Sequence, residues 1–384
     1  MAPPTWPVAA GPCSMAPLKN CAMTTKPTPR PGISQIKLYQ GGASQLKGRD
    51  DVLKLSSNEN PLGPPPSAVD AIAQAAAGVH LYPSTDQAGL RTAIGKVHDL
   101  DPERIICGVG SDEVLQMATQ AYAGEGNEII HTAHGFSLYP ILVNMAGATG
   151  ICVPERDRVV DVDAILGAIT DKTRVILVTN PGNPTGTRLP SAELDRLVDG
   201  VPPHILLVLD GAYTEYVNGF DGGAQYASER DNVLMTRTFS KIYGLGGLRI
   251  GWGYGALEMI QNLTRIRQPF NLSTVQLAAA ETAVQDRAWV EKCAALNAQQ
   301  RKRLTGALRQ LGAACDESET NFVLARFADE DEADLANTAL EADGIIVRKV
   351  AGYGFPEALR ITVGDEAQTS RVINALTNWR EAET

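Results

Sequence analysis

The stretch Ile205–Tyr216, ILLVLDGAYTEY, runs through unbroken aliphatic residues and stops at an aspartate. A strand with one face in water alternates apolar and polar residues. An unbroken run has both faces buried, as in a parallel sheet covered by helices on each side. Ending such a strand in Asp210 desolvates a carboxyl, which is costly unless a cation meets it. The run therefore points to a fold class and raises the question of what Asp210 faces.

Similar runs lie on either side: RIICGVG (104–110), NEIIHTA (127–133), RVILVTN (174–180) and NVLMTRTF (232–239). Helical patterns separate them, such as SDEVLQMATQAYAG (111–124), where Val114, Met117, Ala118, Ala121 and Tyr122 share one face. Strand and helix in alternation predict an α/β fold with a mostly parallel sheet. Beyond about residue 275 the pattern changes to a long helical region, then NFVLARF (321–327), EADLANTALEAD (332–343), GIIVRKV (344–350), ALRITVG (358–364) and a last helix. That order predicts a smaller C-terminal α/β domain. At 384 residues the chain exceeds the size at which one core stops growing, roughly 250–300 residues, so two domains are expected. The boundaries read as an extension (1–32), an irregular arm (33–67) that wraps over the rest, a large domain (68–275) and a small domain (276–384).

The net charge of −10 speaks against a nucleic-acid surface. No apolar run approaches the ~18 residues that span a bilayer. Six cysteines are scattered without C-x-x-C pairs or neighbouring histidines at metal-ligand spacing, so no metal is expected and the thiols read as reduced ones of a cytoplasmic protein. The first thirty residues are rich in Pro and Ala, with neither apolar periodicity nor the architecture of a signal peptide, and read as disordered. Met15 and Met23 are alternative starts.

In open α/β sheets ligands bind beyond the carboxyl ends of the strands, and the unusual polar residues of this chain gather there. GVGSDE (108–113) offers Ser111 as a helix N-cap and the free N–H groups of Ser111, Asp112 and Glu113 to an anion; the plain alternative is an ordinary capped helix. HGFSLY (134–139) offers Phe136 and Tyr139, either to stack on a flat ring or to fill the core, and His134, which is more often a hydrogen-bonded loop residue than a catalyst. NPGNPTG (180–186) is a rigid turn projecting Asn183. Asp210 is followed by Tyr213. TRTFSKIYGLGGLRIGW (236–252) delivers Thr238, Ser240 and Lys241 and then Arg249; its order fits neither a P-loop nor a dinucleotide fingerprint, and alone it reads as a surface lysine before a glycine-rich turn. Taken together, an anion cradle, a carboxylate, a phenol, an amide and one lysine match pyridoxal 5′-phosphate (PLP), which has a phosphate, a protonatable ring nitrogen, a phenolic oxygen and an aldehyde.

From about residue 33 onward these motifs resemble the fold-type I PLP-dependent aminotransferases. NPGNPTG, the D-x-x-Y of DGAY and SK…GLRIGW carry the likeness jointly. LSSNENPLGP (55–64), LYP (81–83), ETNFVLARF (319–327), GIIVRKV and LRITVG are similar to histidinol-phosphate aminotransferases. The resemblance implies a seven-stranded, mostly parallel sheet in the large domain and a homodimer. It implies Lys241 as the covalent anchor and general base, Asp210 as partner of the ring nitrogen, and Asn183 and Tyr213 at the ring oxygen. Ser111, Asp112, Glu113, Thr238, Ser240 and Arg249 would surround the cofactor phosphate, joined by Tyr82 from the partner subunit, with Phe136 against the ring. Arg360 would bind the substrate α-carboxylate beside Asn183, and Tyr39 and Arg348 the phosphate of histidinol phosphate. AHGFSLY departs from the P-T-Y-S-M-Y of many relatives, and GPPPSA from their G-P-S-P. The implied reaction is ping-pong transamination of histidinol phosphate with 2-oxoglutarate. Its rivals are an aromatic amino acid aminotransferase, a PLP-dependent decarboxylase of a phosphorylated amino acid and, without catalysis, a ligand sensor on the same fold.

Overall fold

A computed structural model describes residues 27–38 and 41–383, so most of the N-terminal extension and Tyr39 lie outside the described residues. Seven strands form the central sheet: β1 (Ile105–Gly108), β2 (Glu128–Thr132), β3 (Thr149–Val153), β4 (Thr173–Thr179), β5 (Leu206–Asp210), β6 (Val233–Thr238) and β7 (Gly251–Tyr254). Their spatial order is β1-β7-β6-β5-β4-β2-β3. Strand β7 runs antiparallel to both neighbours, β1 and β6; the remaining pairs are parallel. All of β5 is buried, as its unbroken apolar run requires. The register sets Thr179 beside Asp210 and Asp210 beside Thr236, so three polar side chains meet at the carboxyl ends of the central strands.

Two strands departed from the sequence pattern. Edge strand β3, TGICV, is largely exposed and has no apolar run to betray it. Strand β7, GWGY, lies inside the glycine-rich stretch that read as a turn; Gly251 is there because a Cβ would sit 2.0 Å from the Ser111 nitrogen. Between β3 and β4 a short hairpin (Glu155–Arg156 with Val159–Val160) turns through Asp157 and Arg158, both at positive φ.

The C-terminal part builds its own sheet from β8 (Phe322–Arg326), β9 (Arg348–Val350) and β10 (Phe355–Thr362), with β10 central and antiparallel to both. A separate apolar core, including Leu304, Val323, Ala336, Leu359 and Leu376, lies under it. The arm joins this second core: Leu53–Lys54 pairs in parallel with Ile345–Ile346, and Leu55 is buried among the small-domain residues. Among the described residues no helix is long and apolar enough to cross a membrane.

Candidate active site

A cavity of about 470 Å³ opens where the strand ends, the arm and the small domain meet. That volume suits a ligand of cofactor size. Its wall includes Ser111, Asp112, Phe136, Asn183, Asp210, Tyr213, Thr238, Ser240, Lys241, Arg249, Arg348 and Arg360, so residues far apart in sequence converge. Glu113 does not line it. Its carboxylate turns back to accept from the Val109 N–H at 2.6 Å and from Asn271 at 2.8 Å. The helix begins at Gly110 with Val109 at its cap position, so Ser111 lies inside the first turn instead of capping it. Tyr82 also lies elsewhere in the single chain, 83% exposed, its ring 4.6 Å from that of Phe270.

At one end, the N-terminus of the helix Gly110–Tyr122 faces Arg249. The Arg249 guanidinium donates to Ser240 Oγ and to Asp112 Oδ2, both at 3.0 Å. Helix N–H groups, two hydroxyls and a guanidinium make a cradle for an anion. Gly244, at φ 66°, lets the chain pass against the arm: a Cβ there would lie 2.3 Å from the Gly63 carbonyl carbon.

Asp210 is 3% exposed. Its oxygens accept from Tyr139 Oη and Thr236 Oγ1, each at 3.2 Å. Burial, helped by the nearby negative charge of Asp112, pushes its carboxyl up to about 6. With the Ala212 backbone bond added, these neutral donors still leave a buried carboxylate short of positive charge. Lys241 Nζ donates to the Ser57 carbonyl at 3.3 Å and lies 5.9 Å from the Tyr213 ring centre. Burial and then the positive charge of Arg360 hold its amine down at about 8, which leaves a usable neutral fraction near pH 7.5.

Arg360 is buried and forked: Nη1 donates to Asn183 Oδ1 at 2.6 Å and Nη2 to the Ser56 carbonyl at 3.0 Å. Arg348 sits directly across from it in the β9–β10 register. Two cations on neighbouring strands thus border one end of the cavity.

Sequence reasoning missed several participants. Asn58, buried at φ 56°, donates from Nδ2 to Tyr213 Oη at 2.9 Å. The only signal was its place in LSSNENPLGP, since nothing local says that the arm folds back over the strand ends. Tyr139 figured as a stacking or core aromatic; it is core, and its hydroxyl also reaches Asp210. Tyr353 lines the cavity, held by Ser137 at 3.0 Å through its hydroxyl and by His134 at 2.6 Å through its carbonyl. His134 therefore fastens a wall of the cavity, as a loop histidine would.

Comparison with known proteins agrees with this geometry. The family model "Aminotransferase class I and II" matches residues 50–376. Histidinol-phosphate aminotransferase of Ruegeria pomeroyi is 63% identical over 355 residues, covering 92% of this chain and 98% of that one. The enzyme of the same name from Roseobacter denitrificans is 58% identical over 353 residues, covering 92% and 98%. Among solved structures, histidinol-phosphate aminotransferase from Sinorhizobium meliloti in complex with pyridoxal-5′-phosphate superposes with a TM-score of 0.85 at 26% identity, covering 94% of this chain and all of that one. The converging strand ends, the buried acid, the lysine and these matches lead to one conclusion: the chain belongs to the class I and II aminotransferases, and within them to the histidinol-phosphate aminotransferase family.

Proposed function

We propose that the chain moves an amino group between L-histidinol phosphate and 2-oxoglutarate, giving imidazole acetol phosphate and L-glutamate in a reversible ping-pong cycle, with PLP held in the cavity. The observation that carries this reading is Asp210, a buried carboxyl with hydroxyl partners, in one cavity with a lysine of lowered basicity and an anion cradle. A protonated ring nitrogen is the cation that Asp210 lacks, and the cradle suits the cofactor phosphate. The relatives support the choice of substrate.

Bound there, PLP supplies a carbonyl that captures the amino group and a ring that accepts the electrons released at Cα. Lys241 would hold it covalently, and Ser111, Thr238, Ser240 and Arg249 would hold its phosphate. With the cofactor bound, the Lys241 amine would be placed to take the proton from the substrate Cα and to deliver it to the cofactor's carbonyl carbon. Asp210 would keep the cofactor's ring nitrogen protonated. Tyr213 Oη and Asn183 would orient its ring oxygen. Glutamate presents an α-carboxylate to the Arg360 fork. Histidinol phosphate has a phosphate ester on that arm instead, so Arg360 serves both anions and Arg348 adds charge for the dianion.

The test compares initial rates with histidinol phosphate and with phenylalanine, each against 2-oxoglutarate. Histidinol phosphate is expected to lead by ~10²-fold in kcat/KM, the worth of a charge-assisted contact that phenylalanine lacks. Equal rates would favour the aromatic aminotransferase, and release of CO2 without an oxo acid the decarboxylase. Arg360→Lys keeps the charge but loses the fork; it should raise KM for 2-oxoglutarate ~10-fold or more while cofactor absorbance stays at parent level. If KM is unchanged, the carboxylate binds elsewhere.

The working unit in this reading is a homodimer in the cytoplasm. Val79, Leu81 and Tyr82 expose apolar surface in one short segment, with Phe270 against Tyr82, and an exposed apolar patch of this kind is an expected association surface. Sedimentation should give twice the chain mass of 40.9 kDa, and Tyr82→Asp should lower both the dimer fraction and the affinity for PLP. A fully active monomer would remove Tyr82 from the site.

A further inference from the structure

Behind the active-site wall lies a second, much smaller cavity, lined by Thr132, Glu155, Thr179, Asn183, Thr185 and Thr187 among others. It offers about 10 Å³ to a water's centre, the room that one water needs. Its lining is part polar and part apolar; Thr132 and the His134 backbone bond the Glu155 carboxyl, but its Oε2, buried, has no hydrogen-bond partner among the described residues. A buried carboxylate oxygen in that state calls for a donor. Thr179 borders both cavities. Its hydroxyl lies 2.5 Å from Tyr139 Oη, which in turn lies 3.2 Å from Asp210 Oδ2.

The count of protons gives this line a direction. Burial pushes the Tyr139 phenol well above its usual range, so it stays neutral and has one proton to give. If Tyr139 gives it to the Asp210 carboxylate, Thr179 must give its own proton to Tyr139. The remaining lone pairs of Thr179 and the orphan oxygen of Glu155 then both accept. One water between them has two protons, one for each.

We propose that Glu155, one buried water and Thr179 form the outer half of a hydrogen-bonded chain that runs through Tyr139 to Asp210, and that this chain positions the Tyr139 hydroxyl as a donor to the carboxylate facing the cofactor. The proposal rests on the reading that PLP places its ring nitrogen against Asp210. Glu155 and Thr179 are positioning residues here, since neither meets the reacting atoms. The charged or titratable groups facing the ends of the chain are His134 and Arg158 at Glu155, and Asp112, Tyr213 and Lys241 at Asp210.

The experiment measures PLP affinity by visible absorbance titration for the parent and for Thr179→Val, Glu155→Leu and Glu155→Gln, with melting temperatures as a fold control. Thr179→Val and Glu155→Leu should each weaken PLP binding about fivefold to tenfold, the worth of one buried hydrogen bond. Glu155→Gln retains an acceptor for the water and should stay within about twofold of the parent. In an Asp210→Asn background, Thr179→Val should have no further effect, because the chain acts through that carboxylate, whereas a general packing defect would add to it. A crystal structure of the parent protein should show one water within about 3 Å of both Thr179 Oγ1 and Glu155 Oε2. Affinities of Thr179→Val and Glu155→Leu within about twofold of the parent, an additive effect in the Asp210→Asn background, or a dry cavity would each overturn the chain while leaving the PLP site standing. Failure of the parent itself to bind PLP would overturn both.

Discussion

Lys241→Ala protein will fold, and its turnover of histidinol phosphate will fall by ~10⁴-fold or more, because the substitution removes the covalent anchor and the base together. The visible absorbance that PLP gives with the parent protein will be lost or shifted to that of the free cofactor. Among the described residues no second lysine lines the cavity, so none of them can substitute. The fold should not suffer, and the sign follows from the lysine's environment. Burial and Arg360 hold the amine at about 8 in the fold, below its ordinary 10.5. A group with lowered basicity costs stability while it carries a proton, at pH below 8, and the cost is relieved as pH rises from 8 toward 10.5. At neutral pH that cost is about 3 kcal/mol, similar to what the lost alkyl stem contributes by packing. Cofactor-free Lys241→Ala should therefore melt close to the parent at pH 7 and fall below it above pH 10, where the parent lysine is neutral at no cost. Turnover within tenfold of the parent would sink the assignment.

Some of this site was legible in the chain and some was not, for physical reasons that differ from residue to residue. The buried strands β1, β4 and β5 announce themselves because both faces are covered and most of their residues are apolar, while β2 and β6 show shorter apolar runs, 129–130 and 233–235. Asp210, Thr238 and Lys241 stand out because they interrupt or end those runs. Edge strand β3 leaves no such trace, since TGICV is half in water. Strand β7 is disguised by the glycines that let its backbone pass against the Ser111 nitrogen. Glu113 reads as one more first-turn acid at an anion site, yet it satisfies the Val109 N–H instead, a choice made by a loop whose path sequence does not reveal. Asn58 and Tyr353 reach the cavity only because the arm and the small domain fold over it. Long-range convergence of that kind has no local period.

The same logic explains why the site is poorly made for stability and well made for a ligand. Asp210 is held away from water with hydroxyl donors, Lys241 is desolvated beside Arg360, and Arg360 is buried beside Asn183. Each is a cost in the empty fold that a bound cofactor or substrate anion can offset. The arm contributes to this state through the Asn58 contact with Tyr213 and the Ser56 carbonyl that holds Arg360.

Asp210→Asn tests that trade directly and carries the second large effect. Asparagine keeps the shape and can still bond Tyr139 and Thr236, but it cannot hold a proton on the ring nitrogen. Turnover should drop ~10³-fold, and PLP affinity ~10-fold to 10²-fold for the loss of a charge-assisted hydrogen bond. Without cofactor the stability should move the other way. In the fold the Asp210 carboxyl is raised to about 6 from an ordinary 3.8. The folded state therefore binds the proton more tightly than the unfolded chain, and stability falls as pH rises from 3.8 through 6, levelling off above that at a cost of about 3 kcal/mol. Asparagine carries no such cost. Cofactor-free Asp210→Asn should thus melt above the parent at pH 7.5 and approach it at pH 4, and addition of PLP should reverse the order at pH 7.5, because only the aspartate gains a cation. Thermal melts of both proteins, with and without PLP at the two pH values, read this out. A variant less stable than the parent in all four conditions would mean that Asp210 is a structural acid and that the ring nitrogen meets some other group.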